Sequence, residues 1–422
     1  MAMIQSVKGT RDFYPEDLAF RRWLYERIRD VSETFGYEEY DGPFLERLDL
    51  YAARSGEELV RKQSFVFPDR GGEMITLRPE LTPSLARMVA MRSKSLLLPL
   101  RWWSFGPFWR YERPQRGRSR EFFQWNIDLL GVDSPEADAE IAAVGAMLLR
   151  AVGLGPDRVR LLVNDRRLAE RQLGVIGVAP GMQTAVFHLI DGRDRMRESE
   201  WARQAGELGL STQTVERLEN TLQDREAWRG SEELTAFFKA AEALGVAESL
   251  VYDPRIVRGL DYYTGIVFEA RDVAGELRAI LGGGRYDNLV AEVGGDPVSA
   301  TGFAMGDMVI GLLMEKTGAK PEIRSKPTQV LVPTFDNESM REALKLSTEL
   351  RAAGLRAEWY PSATRLSAQL KYADRLGIPL AAIIGPDEIA SSSVTVKDLR
   401  SGEQKTIPRS QAGVHLQKLL SA

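Results

Sequence analysis

Hydrophobic and polar residues alternate most clearly between Leu100 and Gly131, where two aromatic-rich runs flank the polar loop Arg113–Ser119. Alternation with a period of two is typical of a strand that buries one face. We therefore predict a long antiparallel hairpin with a basic tip. A shorter hairpin is predicted from Ser64–Pro68 and Met74–Leu77, because the residues between them are rich in turn formers.

Helical periodicity marks the segments around these hairpins. Leu18–Phe35 and Thr82–Arg92 are predicted helices, and a third begins with the Ser-Pro pair at Ser134 and ends at Gly153. The run Tyr37–Leu45 alternates and breaks at a Gly-Pro pair, as a strand near the edge of a sheet does.

Residues 164–250 are charged and helix-favouring and lack glycine clusters, so they are predicted to form an inserted helical module. Strands are predicted to return at Asp261–Arg271 and at Leu277–Leu281. The triplet Gly282–Gly284 follows, and an isolated glycine triplet is most often a tight turn beside a strand.

The polar segment Glu315–Pro327 is predicted to be a linker. After it, short strands and helices alternate, which predicts a compact α/β domain. Its predicted strands are Val330–Pro333, Leu355–Tyr360, Leu380–Ile384 and Ser393–Leu399, and its helices are Asn337–Gly354, Thr364–Gly377 and one at the C-terminus. We therefore expect two domains, residues 1–325, with an insertion at about 164–250, and residues 326–422.

At 422 residues and 44% hydrophobic content, the chain is long enough for this organisation. It has no run of about 18 apolar residues, so no membrane segment is predicted, and its first residues lack the layout of a signal peptide. With no cysteine, and with His188 and His415 far apart, disulfides and a zinc cluster are excluded, and no metal-ligating residue is predicted. These features predict a cytoplasmic protein.

The net charge of −4 does not exclude a nucleic-acid partner, because contact surfaces are local. From Arg101 to Arg120, six arginines and one glutamate interleave with aromatic residues. Such a stretch suits phosphate and base contacts, although about half of such stretches are amphipathic strands with a solvated basic face.

Motifs along the chain occur in the order found in class II aminoacyl-tRNA synthetases. Three stretches resemble the class II motifs: Gly36–Leu45, Phe108–Glu112 with Arg118 and Phe122, and the region ending at Gly306–Val309. Others resemble the histidine-specific branch: Lys8–Asp12, Thr76–Thr82, Arg258–Gly265 and Leu281–Asp287. Lys397–Arg400 resembles the anticodon-binding domain of that branch.

The resemblance implies an α+β fold, with a class II antiparallel sheet flanked by helices, a helical insertion and a C-terminal α/β anticodon-binding domain. It implies a homodimer, because in this family the first-motif strand is buried against its two-fold mate. The implied activity is activation of histidine with ATP, followed by transfer to tRNA(His).

For ATP, the resemblance implies that Arg110 contacts the α-phosphate and the amino-acid carboxylate, while Arg258 reaches the same phosphate from the opposite side. These are the two predicted catalytic residues, because attack on the α-phosphorus accumulates negative charge there. Glu112 is expected to bond the adenine amino group, Phe122 to stack on the base, and Arg118 to lie near the outer phosphates. Mg²⁺ is expected on the pyrophosphate, held largely by ATP itself and a carboxylate.

For histidine, the resemblance implies that three side chains surround the α-amino group, those of Glu80, Thr82 and Gln124. Asp128 and Tyr263 are expected to hold the two imidazole nitrogens, and Tyr286 to line the pocket. The family more often has glutamate at the position of Asp128. A site that bonds both ring nitrogens discriminates strongly, because a wrong amino acid leaves buried polar groups unpaired.

For tRNA, the resemblance implies that the loop Arg113–Ser119 meets the acceptor end. Gln115 is expected near the extra 5′ guanosine of histidine tRNAs, and Arg116 is a further predicted tRNA contact. Residues 326–422 are expected to meet the anticodon.

The third motif departs from the family pattern. It normally ends in an arginine that grips the γ-phosphate, but this chain has Gly306–Val309 there and no arginine between Arg285 and Arg324. An alternative function is therefore that of the catalytically silent paralogue that serves as regulatory subunit of ATP phosphoribosyltransferase. Such paralogues generally lack the helical insertion and the full C-terminal domain. A sister synthetase for another amino acid does not explain the run Arg258–Gly265.

Single residues also have plain structural interpretations. Arg110 and Glu112 can also be interpreted as a cross-strand ion pair on the surface, which would stabilise the fold little. Tyr262 and Tyr263 can be interpreted as ordinary aromatic residues of a strand. Arg271, at the far end of the predicted strand, is expected to be exposed and to tolerate alanine.

Overall fold

The computed structural model describes residues 3–52, 63–259 and 262–421, with the backbone alone at Arg195. The chain divides into two compact units. The first runs through Asp12 and from Arg21 to Pro321, and the second contains Phe13–Phe20 and the chain from Glu322 onward.

Helices of the first unit are numbered in chain order, and helix α1 begins in the second unit. They are α1 (Pro15–Thr34), α2 (Asp49–Ala52), α3 (Thr82–Arg92), α4 (Pro135–Ala151), α5 (Arg166–Val175), α6 (Gln183–Gly192), α7 (Glu198–Glu207), α8 (Thr212–Gln223), α9 (Glu232–Ala243), α10 (Leu289–Glu292) and α11 (Asp307–Lys316). Short 3-10 helices occur at Pro180–Met182, Arg193–Arg195, Ala227–Gly230 and Ala247–Ser249.

Strands of the first unit form two sheets. The strands are β1 (Glu38–Glu39), β2 (Leu45–Arg47), β3 (Phe65–Pro68), β4 (Met74–Leu77), β5 (Leu100–Trp109), β6 (Glu121–Leu130), β7 (Val159–Asp165), β8 (Leu250–Tyr252), β9 (Ile266–Asp272), β10 (Leu281–Arg285) and β11 (Ala300–Gly306). The order in the large sheet is β1-β5-β6-β11-β10-β9-β7-β8, and β2-β4-β3 form the small one.

The large sheet is antiparallel except at its two ends, where β1 pairs with β5 and β7 with β8 in parallel. This sheet with its flanking helices confirms the predicted α+β class. Both predicted hairpins are present, as β5–β6 and β3–β4. The register sets Gly282 opposite Glu269 and Gly302 opposite Asp128, which later determines where these side chains have room.

Helix α4 is buried along most of its length. Every residue from Ile141 to Leu149 except Met147 is buried. Ser134 caps the helix as predicted, because its side chain accepts a hydrogen bond from the Ala137 amide at 3.3 Å. Such a cap stabilises a helix by about 1 kcal/mol.

The glycine triplet lies inside a strand, which corrects the predicted strand Leu277–Leu281 and the turn interpretation. Strand β10 begins where that prediction ended and contains Gly282–Gly284. A Cβ on Gly283 would overlap the Gly302 carbonyl and Phe303 of the neighbouring strand, so the sheet itself requires glycine there. The predicted strand Asp261–Arg271 also begins later, at Ile266, and Asp261 is outside the described residues.

Five helices, α5 to α9, occupy the segment for which an insertion was predicted. A separate apolar core joins α5 to α8 around Trp201, Phe187 and Leu218, which are all buried, whereas α9 packs against α4. Whether this segment is a separate module stays a prediction.

The second unit is built on one five-stranded sheet of order β13-β12-β14-β15-β16. Its strands are β12 (Val330–Val332), β13 (Ala357–Trp359), β14 (Leu380–Ile383), β15 (Ser393–Asp398) and β16 (Gln404–Pro408). Its helices are α12 (Asn337–Ala352), α13 (Leu366–Arg375), α14 (Pro386–Ala390) and α15 (Ala412–Ser421), with a 3-10 helix at Arg409–Gln411. Among the residues described in either unit, no helix is long and apolar enough to cross a membrane.

Candidate active site

A cavity of about 1450 Å³ opens on one side of the large sheet. Eleven of the thirteen predicted site residues line it: Glu80, Thr82, Arg110, Glu112, Arg118, Phe122, Gln124, Asp128, Arg258, Tyr263 and Tyr286. The other two, Gln115 and Arg116, are exposed in the loop between β5 and β6.

Strand periodicity explains much of this gathering. Along β6, every second residue faces the cavity, so Phe122, Gln124, Asn126 and Asp128 form one row. The row spans about 20 Å of strand at about 3.3 Å per residue, enough for one end to meet a nucleotide and the other an amino acid.

A buried arginine fixes the loop before helix α3. Arg78 is fully buried and donates to the Pro107 carbonyl at 3.0 Å and to Asp41 at 2.5 Å. The next residue, Pro79, then offers its carbonyl oxygen to Arg110 Nε at 2.9 Å. Arg110 is thereby held at the cavity wall, with its guanidinium carbon 5.2 Å from the Phe122 ring centre.

Glu112 and Arg118 form an ion pair across the hairpin. Arg118 Nη1 lies 2.6 Å from Glu112 Oε2, and the Glu112 side chain is only 11% exposed. Near them, Phe122 stacks on Phe108 with ring centres 6.0 Å apart, which leaves a flat aromatic surface at the cavity. Contacts from Glu112 to adenine or from Arg118 to phosphate must therefore compete with this pair.

Arg258 enters the cavity over strand β10. Its backbone φ is 55°, a left-handed conformation that non-glycine residues rarely adopt and that often occurs at functional sites. Its Nη1 donates to Glu269 Oε1 at 2.5 Å, and a Cβ on Gly282 would overlap its guanidinium. Burial lowers the pKa of Arg258 and the Glu269 charge raises it, with a net rise, so the side chain stays cationic.

Asp128 lies at the end of the β6 row that is farthest from Phe122. It is 4% exposed, and Tyr286 Oη donates to its Oδ1 at 2.6 Å. Burial raises the pKa of Asp128 to about 7, although the Tyr286 hydrogen bond opposes the shift. Gly302 makes room for this carboxyl group, which a Cβ there would overlap.

Tyr263 and Tyr262 complete this end of the cavity. Their ring centres are 4.8 Å apart, and Tyr263 is 7% exposed. A carboxyl group and phenol groups at one end of a cavity can hydrogen-bond a small heteroaromatic ring.

Comparisons with known proteins identify the family of this chain. The family profile described as histidyl-tRNA synthetase matches residues 9–308, and the anticodon-binding domain profile matches residues 329–419. The histidine–tRNA ligase of Thermococcus kodakarensis is 37% identical over 433 aligned positions, which cover 98% of each chain. The chain belongs to the histidyl-tRNA synthetase family.

Solved structures share the fold. The histidyl-tRNA synthetase of Nostoc sp. PCC 7120 superposes with a TM-score of 0.83 at 24% identity and covers 99% of this chain and 100% of its own. A Bacillus halodurans protein described as an ATP phosphoribosyltransferase regulatory subunit/histidyl-tRNA synthetase has a TM-score of 0.73 at 25% identity. That match covers 88% of this chain and 97% of the other.

Asp307 occupies the region where this family's third motif has its usual arginine. Its Oδ2 lies 2.8 Å from Arg11 Nη2, and its Oδ1 accepts from the Phe123 amide at 3.0 Å. Asp307 begins helix α11, and Val309 lines the cavity one half-turn later. The stretch Gly306–Val309 therefore brings an acidic residue paired with Arg11 and an apolar residue, and no cation of its own, to this region.

The expectation that Arg271 is exposed is wrong, because the residue is partly buried. Arg271 Nε donates to Glu269 Oε2 at 2.9 Å, and its Nη1 donates to Asp194 Oδ2 at 2.6 Å. It lines the same cavity as Arg258 and shares a carboxylate with it. The local sequence around Arg271 gives no sign of either contact, so the end of the predicted strand was expected to be exposed.

Two cavity residues were missed from the sequence, Glu269 and Asn126. Asn126 is 3% exposed, and its Nδ2 makes no hydrogen bond within the part of the chain described. The period-two row from Gln124 to Asp128 contains it, so periodicity could have found it. For Glu269 the only sequence signal was a carboxylate directly after the apolar run Ile266–Phe268.

Proposed function

We propose that this chain activates histidine with ATP to give histidyl-adenylate and pyrophosphate, and then transfers histidine to the 3′ end of tRNA(His). The observation that carries the proposal is one cavity that combines two arginines, Arg110 and Arg258, with the buried carboxyl group of Asp128. The family membership supports the same activity.

Adenylation joins a histidine carboxylate oxygen to the α-phosphorus and breaks the bond to the pyrophosphate oxygen. Charge builds up on both phosphate groups, so prepositioned cations lower the barrier. Arg110 is fixed by the Pro79 carbonyl and Arg258 by Glu269, so both are suited to receive the α-phosphate without reorganising. Phe122 stacks on adenine, Glu112 bonds its amino group, and Arg118 binds the outer phosphates.

Histidine lies with its ring toward Asp128. Asp128 and Tyr263 bond the two ring nitrogens, and Tyr286 holds the Asp128 carboxyl group in place. Glu80, Thr82 and Gln124 receive the α-amino group. Most other amino acids leave the buried Asp128 without its partner, which is costly in a dry pocket.

Mg²⁺ arrives as part of the MgATP substrate, bound mainly to phosphate oxygens. The carboxylates at this end of the cavity, Glu112, Glu269 and Asp307, already accept hydrogen bonds or ion pairs from arginines. They therefore suit an indirect role toward the ion better than direct coordination.

Transfer needs contact with tRNA. The exposed loop residues Gln115 and Arg116 approach the acceptor end, and the domain of residues 326–422 reads the anticodon. The remaining residues, 1–325 with the insertion at 164–250, form the catalytic domain.

The proposed assembly is a homodimer built on the first motif. Phe44 and Leu45 are 46% and 49% exposed beside that strand, which suits an apolar contact with a second copy. The cytoplasm stays the predicted compartment.

The alternative is the regulatory paralogue, favoured by the absence of the third-motif arginine from Gly306–Val309. The match to a ligase over 98% of both chains and the separate anticodon-binding match favour the synthetase. Charging assays with labelled histidine test the choice. We expect tRNA(His) to be charged and other tRNAs not. Purified, well-folded protein that charges no tRNA would contradict the proposal.

A further inference from the structure

We infer that Glu269 is the positioning residue of Arg258, and that Arg271 and Asp194 extend this control into the helical segment. The inference rests on the proposed function, in which Arg258 receives the α-phosphate. It adds residues that act through the position of Arg258 and do not themselves contact the substrate.

Glu269 holds two arginines at once. It is 9% exposed, its Oε1 accepts from Arg258 Nη1 at 2.5 Å, and its Oε2 accepts from Arg271 Nε at 2.9 Å. Burial raises the pKa of Glu269, but the two guanidinium groups lower it further, so the carboxylate stays charged. Arg271 also pairs with Asp194, so Glu269 shares the neutralisation of this second guanidinium group with another carboxylate.

The position of the Arg258 guanidinium depends on that carboxylate. Glu269 and Gly282 are cross-strand partners, and the guanidinium lies over the glycine. Glu269 bonds Nη1, and the buried Nε makes no hydrogen bond within the described residues. The bond to Glu269 therefore sets the direction in which the remaining donors point.

Asp194 links this group to the helical segment. It lies in the 3-10 helix Arg193–Arg195 between α6 and α7, and it accepts from Arg271 Nη1 at 2.6 Å. Arg255 lies 3.8 Å from the same carboxylate. Arg271 is thus held at one end by the catalytic sheet and at the other by the segment 164–250.

A double-mutant cycle tests the positioning role. Single-turnover adenylation is measured for Glu269→Ala, Arg258→Ala and the double variant, with saturating histidine and MgATP. Loss of orientation typically costs up to about a hundredfold in rate. We expect Glu269→Ala to slow adenylation roughly ten- to a hundredfold with little change in the KM for histidine, and the double variant to be no slower than Arg258→Ala.

The control is the exposed pair Arg203 and Glu207, whose side chains are 58% and 61% exposed. Arg203→Ala and Glu207→Ala are expected to match wild type. Glu269→Gln keeps the side-chain volume and one acceptor oxygen, so it should recover part of the rate and serves as the second cycle if Glu269→Ala folds poorly. Asp194→Ala should slow adenylation by a smaller factor, and only when Glu269 is present.

Two outcomes overturn the inference: a Glu269→Ala rate equal to wild type, or a double-variant rate equal to the product of the two single losses. Failure of the proposed function looks different, because wild-type protein would then form no histidyl-adenylate at all.

Discussion

Replacing Arg258 with alanine is the most informative single substitution. It removes a guanidinium that is only 19% exposed and that the Glu269 bond holds in place. Deleting such a preorganised charge typically raises the barrier by about 3 to 4 kcal/mol, or about a hundredfold to a thousandfold in rate. Adenylation should therefore fall by that factor while histidine and ATP still bind.

The substitution also removes one charged hydrogen bond from the buried Glu269. Such bonds contribute about 1.5 to 3 kcal/mol, but Arg271 continues to hold the carboxylate, so the stability loss should be at the low end. Thermal unfolding of the variant separates this loss from the loss of catalysis.

The assay is pre-steady-state formation of histidyl-adenylate, with Arg203→Ala as the control. Arg271 cannot serve as that control, because it shares Glu269 with Arg258. Equal rates for Arg258→Ala and Arg203→Ala would show that Arg258 does not meet the reacting phosphate, and the placement of the active site would be refuted.

Four further predictions follow from the same geometry. Gly282→Ala should slow adenylation at least tenfold, because the new methyl group displaces the Arg258 guanidinium; single-turnover rates check this, and a wild-type rate contradicts it. Burial raises the pKa of Asp128 to about 7, so the folded protein favours the protonated carboxyl group. The stability that this group contributes is fully present below about pH 4 and is lost as the pH rises through 7. The wild-type free energy of unfolding should therefore fall by up to about 4 kcal/mol more than that of Asp128→Asn across this range, as denaturant titrations at each pH can measure. Deleting residues 326–422 should abolish tRNA charging but largely spare adenylation in folded protein; equal loss of both activities contradicts this division. Sedimentation at micromolar concentration should show a homodimer, and a monomer counts against it.

Strong local patterns predicted much of the fold. The hairpin at β5 and β6 was visible because aromatic and polar residues alternate over ten residues in each strand. Helix α3 was predicted with its observed ends, Thr82 and Arg92. Strand β16 was missed because only Ile407 of its five residues is buried, so no hydrophobic signal marks it.

Contacts distant in sequence limited the site prediction. The glycine triplet was open to a turn interpretation because only the neighbouring strand and Arg258 explain its lack of side chains. Arg271 was assigned to solvent because its partner Asp194 lies 77 residues away. The role of Glu269 follows only from its contacts with Arg258 and Arg271, which the local sequence does not show.

Histidine-dependent exchange of labelled pyrophosphate into ATP tests the central claim most directly, because it requires reversible adenylate formation and no tRNA. We predict exchange that depends on histidine, is not supported by other amino acids and is lost in Arg258→Ala. Well-folded wild-type protein that shows no exchange would contradict the synthetase function and favour the regulatory paralogue.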